Sequence, residues 1–409
     1  MGKSKMKNKK GSPKQKKSVL NGVGGSISTP QVAENTSELL EKATILLQTG
    51  QAEAALPLAQ RVLELSREKS PESLSAVNLI GEIYVELGDI DAARQTFLHA
   101  VQIDPEGSIP ESQGGGAEKF LWLAQLSEQG GADSVGWYEK GVCALRNIIQ
   151  SLEQSTQPED AALCEEKRKK LATALCGVVE IYMTDLSWEE DAESRCEALI
   201  TEALLVAPNS PDCLQTLASV RISQSRVDDA RASLSRSLDI WKDLPPEDLR
   251  IPDFPSRISL SRLLMEVEME LQALQVLERL ILEDDESVEA WYLGGWCLYL
   301  MAEKEKENAT NTESAQSSEE RRHDSMVASR EWLKQSLKLY ARLDYEDERL
   351  KLHAIDLIQD LNKELGLEND DDSESESGIP GGDEEEDLDE EIEALSEDDD
   401  DEDHEMKDL

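Results

Sequence analysis

The stretch LIGEIYVELGDIDAARQTFLHAVQIDPEG, from Leu79 to Gly107, constrains the fold more than any other part of the chain. It cannot be one helix, because Gly88-Asp89 interrupts it, and glycine disfavours a helix interior by about 1 kcal/mol relative to alanine. Read as two helices joined by a tight turn, every residue finds a place. Gly81 and Ala93, both small, let the two backbones approach closely, and Tyr84 and Phe97 fill the space beside them. Pro105 ends the second helix, since proline lacks an amide donor and clashes with the preceding turn. An antiparallel helix pair cannot bury its apolar faces alone, so the chain should hold further copies.

The copies are present. Small residues twelve apart recur as Ala43 and Ala55 with Gly50 at the turn, as Ala218 and Ala230 followed by Leu234 and Ser237, and as Ser261 and Ala273 followed by Leu277 and Leu280. Two units are stretched. Gly177 opens one whose second helix holds Cys196, Ile200 and Ala203 before Pro208, with extra residues around Asp185–Asp191. Trp291 and Gly295 open the other. Its second helix resumes near Ala328 and Trp332, after an acidic-polar stretch, Ala302–Ser325, that reads as a mobile loop. A weaker unit starts at Phe120, Leu123 and Ala124 and is completed by Trp137 to Ile149. After the last unit, Leu350, Ile355, Leu357, Ile358, Leu361 and Leu365 line one amphipathic helix. No run alternates convincingly as a strand, so the fold class is all-α.

Gly81, Tyr84, Gly88, Ala93, Phe97, Ala100 and Pro105 sit at offsets that resemble the tetratricopeptide repeat, a helix-turn-helix unit of about 34 residues. The resemblance implies a right-handed superhelical solenoid of about seven repeats over residues 35–347. The first helix of each repeat would line a concave groove, and residues 348–367 would cap the exposed last face.

Charge divides the rest of the chain. Residues 1–17 hold eight lysines and no acid, and residues 368–409 hold 24 acids and one lysine; of the formal net charge of −45, the central residues 18–367 keep −30. Like-charge runs repel and offer little to bury, so residues 1–34 and 368–409 read as disordered. The acidic body argues against direct nucleic-acid binding, because it repels phosphate. No apolar run is long enough to span a bilayer, and no apolar segment follows the first lysines as in a secretory leader. The six cysteines are scattered, which suits reduced thiols filling core space. No phosphate-cradling loop, nucleophile elbow or metal-ligand spacing occurs, so neither an enzyme nor a cofactor or metal site is expected.

What remains is binding through the groove. The positions flanking the packing residues on the first helices are Asn78, Glu82 and Glu86, then Glu118, Gln125 and Glu128, and later Tyr182, Glu266, Glu289, Tyr292, Trp296 and Tyr299. They make an acidic surface with an aromatic end, suited to an extended segment rich in Lys or Arg with a few apolar anchors. The competing reading of the same residues is an ordinary solvated helix face for the glutamates and core for Trp296. A basic clamp for an acidic peptide terminus is not offered: Leu40, Thr44 and Glu82 stand where such a clamp wants lysine and amides.

The lysine-rich Met1–Lys17 start, the Leu79–Gly107 repeat, the segment EAWYLGGW (Glu289–Trp296) and the tail DEEEDLDEEIEALSEDDDDEDHE together resemble a narrower family. This is the fungal family of dedicated assembly chaperones for large-subunit ribosomal protein four. The resemblance implies capture of an extended basic loop of that newborn protein, escort from cytoplasm to nucleus with a nuclear import receptor as a possible second partner, and release at the pre-ribosome. The competing class is a scaffold that joins folded partners. Ser373, Ser375 and Ser377, in acidic context, are candidate phosphorylation sites.

Overall fold

Polar residues write the helix starts. The computed structural model of the protein describes residues 35–66, 70–155, 157–309 and 315–367. The sequence readings on residues 1–34 and 368–409, Ser373–Ser377 included, lie outside the described residues. Fifteen α-helices are found among them, with no strand. Seven antiparallel pairs follow one another: α1 (Thr36–Gln48) with α2 (Ala52–Leu65), α3 (Pro71–Glu86) with α4 (Ile90–Ile103), α5 (Glu118–Gln125) with α6 (Gly131–Glu153), α7 (Pro158–Met183) with α8 (Ala192–Val206), α9 (Pro211–Ser223) with α10 (Val227–Trp241), α11 (Phe254–Glu266) with α12 (Glu270–Glu283), and α13 (Val288–Ala309) with α14 (Ala315–Leu343). A single helix, α15 (Glu348–Leu365), follows. Asn35, Ser70, Asp89, Ser210, Asp253 and Asp347 each accept a hydrogen bond from an amide of the first turn they precede. Such caps satisfy donors that a helix cannot satisfy internally. At the turn before Asp89, Gly88 has φ +74°, a conformation open to glycine at no steric cost.

The spacing of small residues proves to be the packing code. Ala43, Ala55, Ala93, Ala218, Ala230, Ser261 and Ala273 are all fully buried at 0% exposure, where paired helices cross. At Gly81 an added Cβ would lie 2.6 Å from the Phe97 ring, so only hydrogen fits. The seventh pair repeats the device with larger partners: a Cβ on Gly294 would lie 2.0 Å from the Trp332 ring, and one on Gly295 2.6 Å from Leu333.

Successive first helices touch one another along α7, α9, α11, α13 and α15, whereas second helices of neighbouring pairs are spread further apart. The first helices therefore line the inner wall. The wall is interrupted around the short α5. There the connection after α4 folds inward, and a 3-10 turn at Glu111–Gln113 packs on α3. A buried ion pair fixes this connection. Lys119 Nζ donates to Asp104 Oδ2 at 2.8 Å and to the Gly116 carbonyl at 2.7 Å, and Asp104 Oδ1 accepts from the Ser108 amide at 2.9 Å. Both side chains are 1% exposed.

The loop expected over Ala302–Ser325 is a correction. α13 continues to Ala309 and α14 starts at Ala315, ahead of the expected restart near Ala328. The polar residues there pair within the stretch and with α12 and α15. Lys304 reaches Glu270 at 2.6 Å, Lys306 reaches Glu364 at 2.6 Å, Ser318 donates to Glu305 at 2.6 Å, and Arg322 pairs with Glu364. Ala302 and Met326 are buried beneath them.

Candidate functional site

At one end of the inner wall, Asn78 and Glu82 on α3, Glu118 on α5 and Lys170 on α7 converge. Lys170 forms an ion pair with Glu118 across the gap between their helices. Burial raises the Glu82 carboxyl above its ordinary value, and the charge of Lys170 offsets part of that rise. Asn78 does not face a partner freely: its amide donates to the Gly114 carbonyl at 2.6 Å and ties α3 to the infolded connection. Glu86, one turn beyond Glu82, is exposed.

Further along lies a row of carboxylates from successive first helices: Glu180 on α7, Asp212 on α9 and Asp253 at the start of α11. Glu180 and Asp212 reach solvent, yet protein surrounds them closely. That partial desolvation raises both pKa values, with a further rise from the charge of Asp212 on Glu180 and of Asp253 on Asp212. Asp212 and Asp253 also border a cleft of about 1250 Å³ whose wall includes Leu205 and Leu249.

At the other end, Arg262, Met265 and Glu266 of α11, Tyr292, Trp296 and Leu300 of α13, and Asp347, Arg349 and Leu350 surround a pocket of about 540 Å³. Tyr292 Oη hydrogen-bonds His353 Nδ1 at 2.7 Å, and His353 stands edge-on to Trp296 with ring centroids 5.1 Å apart. Burial pushes the Tyr292 phenol up to about 12. Glu289 pairs with Arg262 at the rim. Tyr292 and Trp296 thus meet at this pocket, Tyr292 itself buried at 9% exposure, and a histidine from the capping helix holds both rings.

Two candidate residues are not in the groove. Glu128 lies past the end of α5, in the connection to α6, where it takes a hydrogen bond from Arg94 of α4 at 2.6 Å. Tyr182 is 6% exposed and turns toward α8, where its hydroxyl accepts from Arg195 at 2.8 Å. The reason for the second error is the role of Gly177. It does not take a side chain of its own repeat; a Cβ there would meet the Tyr138 hydroxyl of the preceding α6 at 2.7 Å. The face counted from Gly177 is therefore rotated, and Glu180 takes the accessible position instead. In three other repeats one pattern serves: residues at +1 and +5 from the small packing residue reach the inner side, and in two of them the residue at −3 does as well, whereas Ile258, at −3 from Ser261, is core. The pattern gives Asn78, Glu82 and Glu86 from Gly81, Arg262 and Glu266 from Ser261, and Tyr292, Trp296 and Leu300 from Gly295. Sequence reading missed Lys170, Glu180, Asp212, Arg262 and His353; the +1 offset from Ser261 alone would have found Arg262.

Among the described residues no cluster of His, Cys, Asp or Glu is placed to hold a metal ion, and no helix is long and apolar enough to cross a membrane. The six cysteines are free thiols, of which Cys143 alone is exposed.

An all-α array of small-residue-matched helix pairs with an inner wall of first helices is a tetratricopeptide-repeat solenoid, and residues 35–106 match the tetratricopeptide repeat family. The chain is 60% identical over 410 residues to a protein of Emericella nidulans named as a probable assembly chaperone of rpl4, covering all of both chains. It is 34% identical over 357 residues to the protein of the same name from Schizosaccharomyces pombe, covering 87% of this chain and 98% of that one. A solved structure of an assembly chaperone of RpL4, Acl4, is similar with TM-score 0.63 and 55% identity, covering 68% of this chain and 100% of that one. The chain belongs to the same family as these assembly chaperones.

Proposed function

We propose that this protein is a dedicated chaperone of ribosomal protein L4, binding an extended basic segment of the newly made protein in its acidic groove and keeping it soluble. Ribosomal proteins carry basic segments that have no partner before they meet RNA, and such segments associate with the wrong polyanion or aggregate. A groove lined by carboxylates neutralises them, and an aromatic pocket at one end anchors an apolar side chain. The chaperone then accompanies its client from cytoplasm to nucleus and surrenders it to the assembling large subunit, where RNA offers a denser negative charge. An import receptor that reads the lysines of residues 1–17 is the second partner in this scheme.

What supports the reading is that Glu82, Glu118, Glu180, Asp212, Glu266 and Glu289 stand on the first helices of six successive pairs, in a chain similar to two proteins named as probable assembly chaperones of rpl4. Raised pKa values at Glu82, Glu180 and Asp212 mark sites where an added positive charge is favourable. Affinity capture of the tagged full-length protein from cells tests it. Ribosomal protein L4 in near-equal amount is the expected result. A stable set of several folded proteins without L4 would favour the scaffold class.

A further inference from the structure

Two cations of the chain itself stand on groove carboxylates that a basic partner would use. Lys170 of α7 is paired with Glu118 of α5 and sits near enough to Glu82 of α3 to act on it. Arg262 of α11 is paired with Glu289 of α13 beside the aromatic pocket. The side chains of these pairs are 31% and 37% exposed in the first case and 56% and 26% in the second. The contrast with Lys119–Asp104, 1% exposed on both sides and held by further hydrogen bonds, decides how each can behave. Opening the buried pair would strand an unpaired charge away from water. Opening either exposed pair frees a side chain that water solvates at once, and such pairs contribute little net stability.

We propose that Lys170 and Arg262 are displaceable counter-charges, which hold the groove's carboxylates until lysines or arginines of the client replace them and which limit how tightly the client is held. This rests on the groove being the client surface. Exchange of one cation for another keeps the local charge balance, so the carboxylates are never left facing each other alone. In the absence of client the same residues lower the attraction of the groove for unrelated polycations. When RNA competes for the client, they return to their carboxylates and ease its departure. Lys170 is suited to this because its side chain and that of Glu118 are each about a third exposed, so both can be solvated when the pair opens.

Calorimetric titration of purified ribosomal protein L4 into the full-length protein tests the idea, with circular dichroism melts to verify folding. Lys170→Met and Arg262→Met are each expected to tighten binding roughly two- to fivefold, the range that exposed ion pairs span. Lys170→Arg should leave affinity unchanged, Glu118→Gln should weaken it, and Lys170→Met should bring no gain in the Glu118→Gln background. Lys170→Gln serves as a second variant if methionine impairs folding. If Lys170→Met and Arg262→Met weaken binding or leave it unaltered while Glu118→Gln still weakens it, the cations are fixed parts of the wall and the idea is overturned. If Glu118→Gln and Glu289→Gln are both without effect, the groove reading itself fails, and this inference fails with it.

Discussion

The two ends of the groove are built on one packing device but offer different chemistry. Beneath the acidic end, Gly81 admits the Phe97 ring, and above it the wall presents Glu82, Glu86 and Glu118. Beneath the aromatic end, Gly294 and Gly295 admit Trp332 and Leu333, and above them the wall presents Tyr292 and Trp296, steadied by His353. The small residue sets how closely paired helices approach; residues one and five positions on decide what the groove displays. Scaffold and recognition are therefore separable, even though they alternate within the same helix. Under the proposed function the acidic end would supply long-range, salt-sensitive attraction and the aromatic end short-range contact that depends on shape.

The largest expected effect comes from breaking the shared device. Gly81→Leu and Gly294→Leu each overpack a helix crossing and should lower stability by about 1–3 kcal/mol, read as a drop in the chemical-denaturation midpoint. An unchanged midpoint for either would mean that the glycine at that end is not a packing position. Removing recognition at one end is the next step down. Trp296→Ala should weaken client binding by roughly tenfold, a loss that persists at high salt because it is one of aromatic contact. If high salt erased that difference, the pocket would be acting through its charges instead.

A smaller effect is expected from pH. Burial raises the folded-state pKa of Glu82, Glu180 and Asp212, so these groups hold protons more readily folded than unfolded. Their contribution to stability is full below the unfolded values of 4.5 for glutamate and 3.8 for aspartate, and it is lost as pH rises through the raised values. Client binding runs the other way, since it needs the charged forms. Affinity should fall as pH is lowered from neutrality toward the glutamate range, and Glu82→Gln with Asp212→Asn should flatten that fall. A wild-type profile already flat over this range would count against desolvated carboxylates as the binding groups.

Much of this molecule was legible in its sequence, for a physical reason. Where helices cross at close range only a small side chain fits, so Ala43, Ala55, Ala93, Ala218, Ala230, Ser261 and Ala273 announced their own burial. Inward residues followed from small packing positions of the same kind: Glu82 from Gly81, Glu266 from Ser261 and Trp296 from Gly295. The errors arose where a local pattern had a non-local cause. Gly177 was small for a tyrosine of the preceding repeat, which displaced the register and put Tyr182 in the wrong place. Glu128 lies beyond a helix that ends at Gln125, and no sequence signal ends it so early except Gly130-Gly131 further on. The polar stretch after Ala302 has a loop's composition, yet its charges find partners distant in sequence and pair across α12–α15. Lys170 and Arg262 stayed hidden because a cation on an acidic wall shows its partner only once neighbouring repeats are stacked.

The central claim is that the acidic wall holds a basic segment of ribosomal protein L4. The direct measurement is calorimetric titration of the wild type and of the double reversal Glu82→Lys with Glu86→Lys against purified L4, at low and at physiological salt, with circular dichroism as the folding control. Charge pairs at a partly desolvated surface lead to an expected loss of well over tenfold for the double reversal, and to a wild-type affinity that falls as salt rises, since screening acts beyond roughly 8 Å at physiological ionic strength. Equal affinity of a folded double reversal and the wild type, with no dependence on salt, would contradict it.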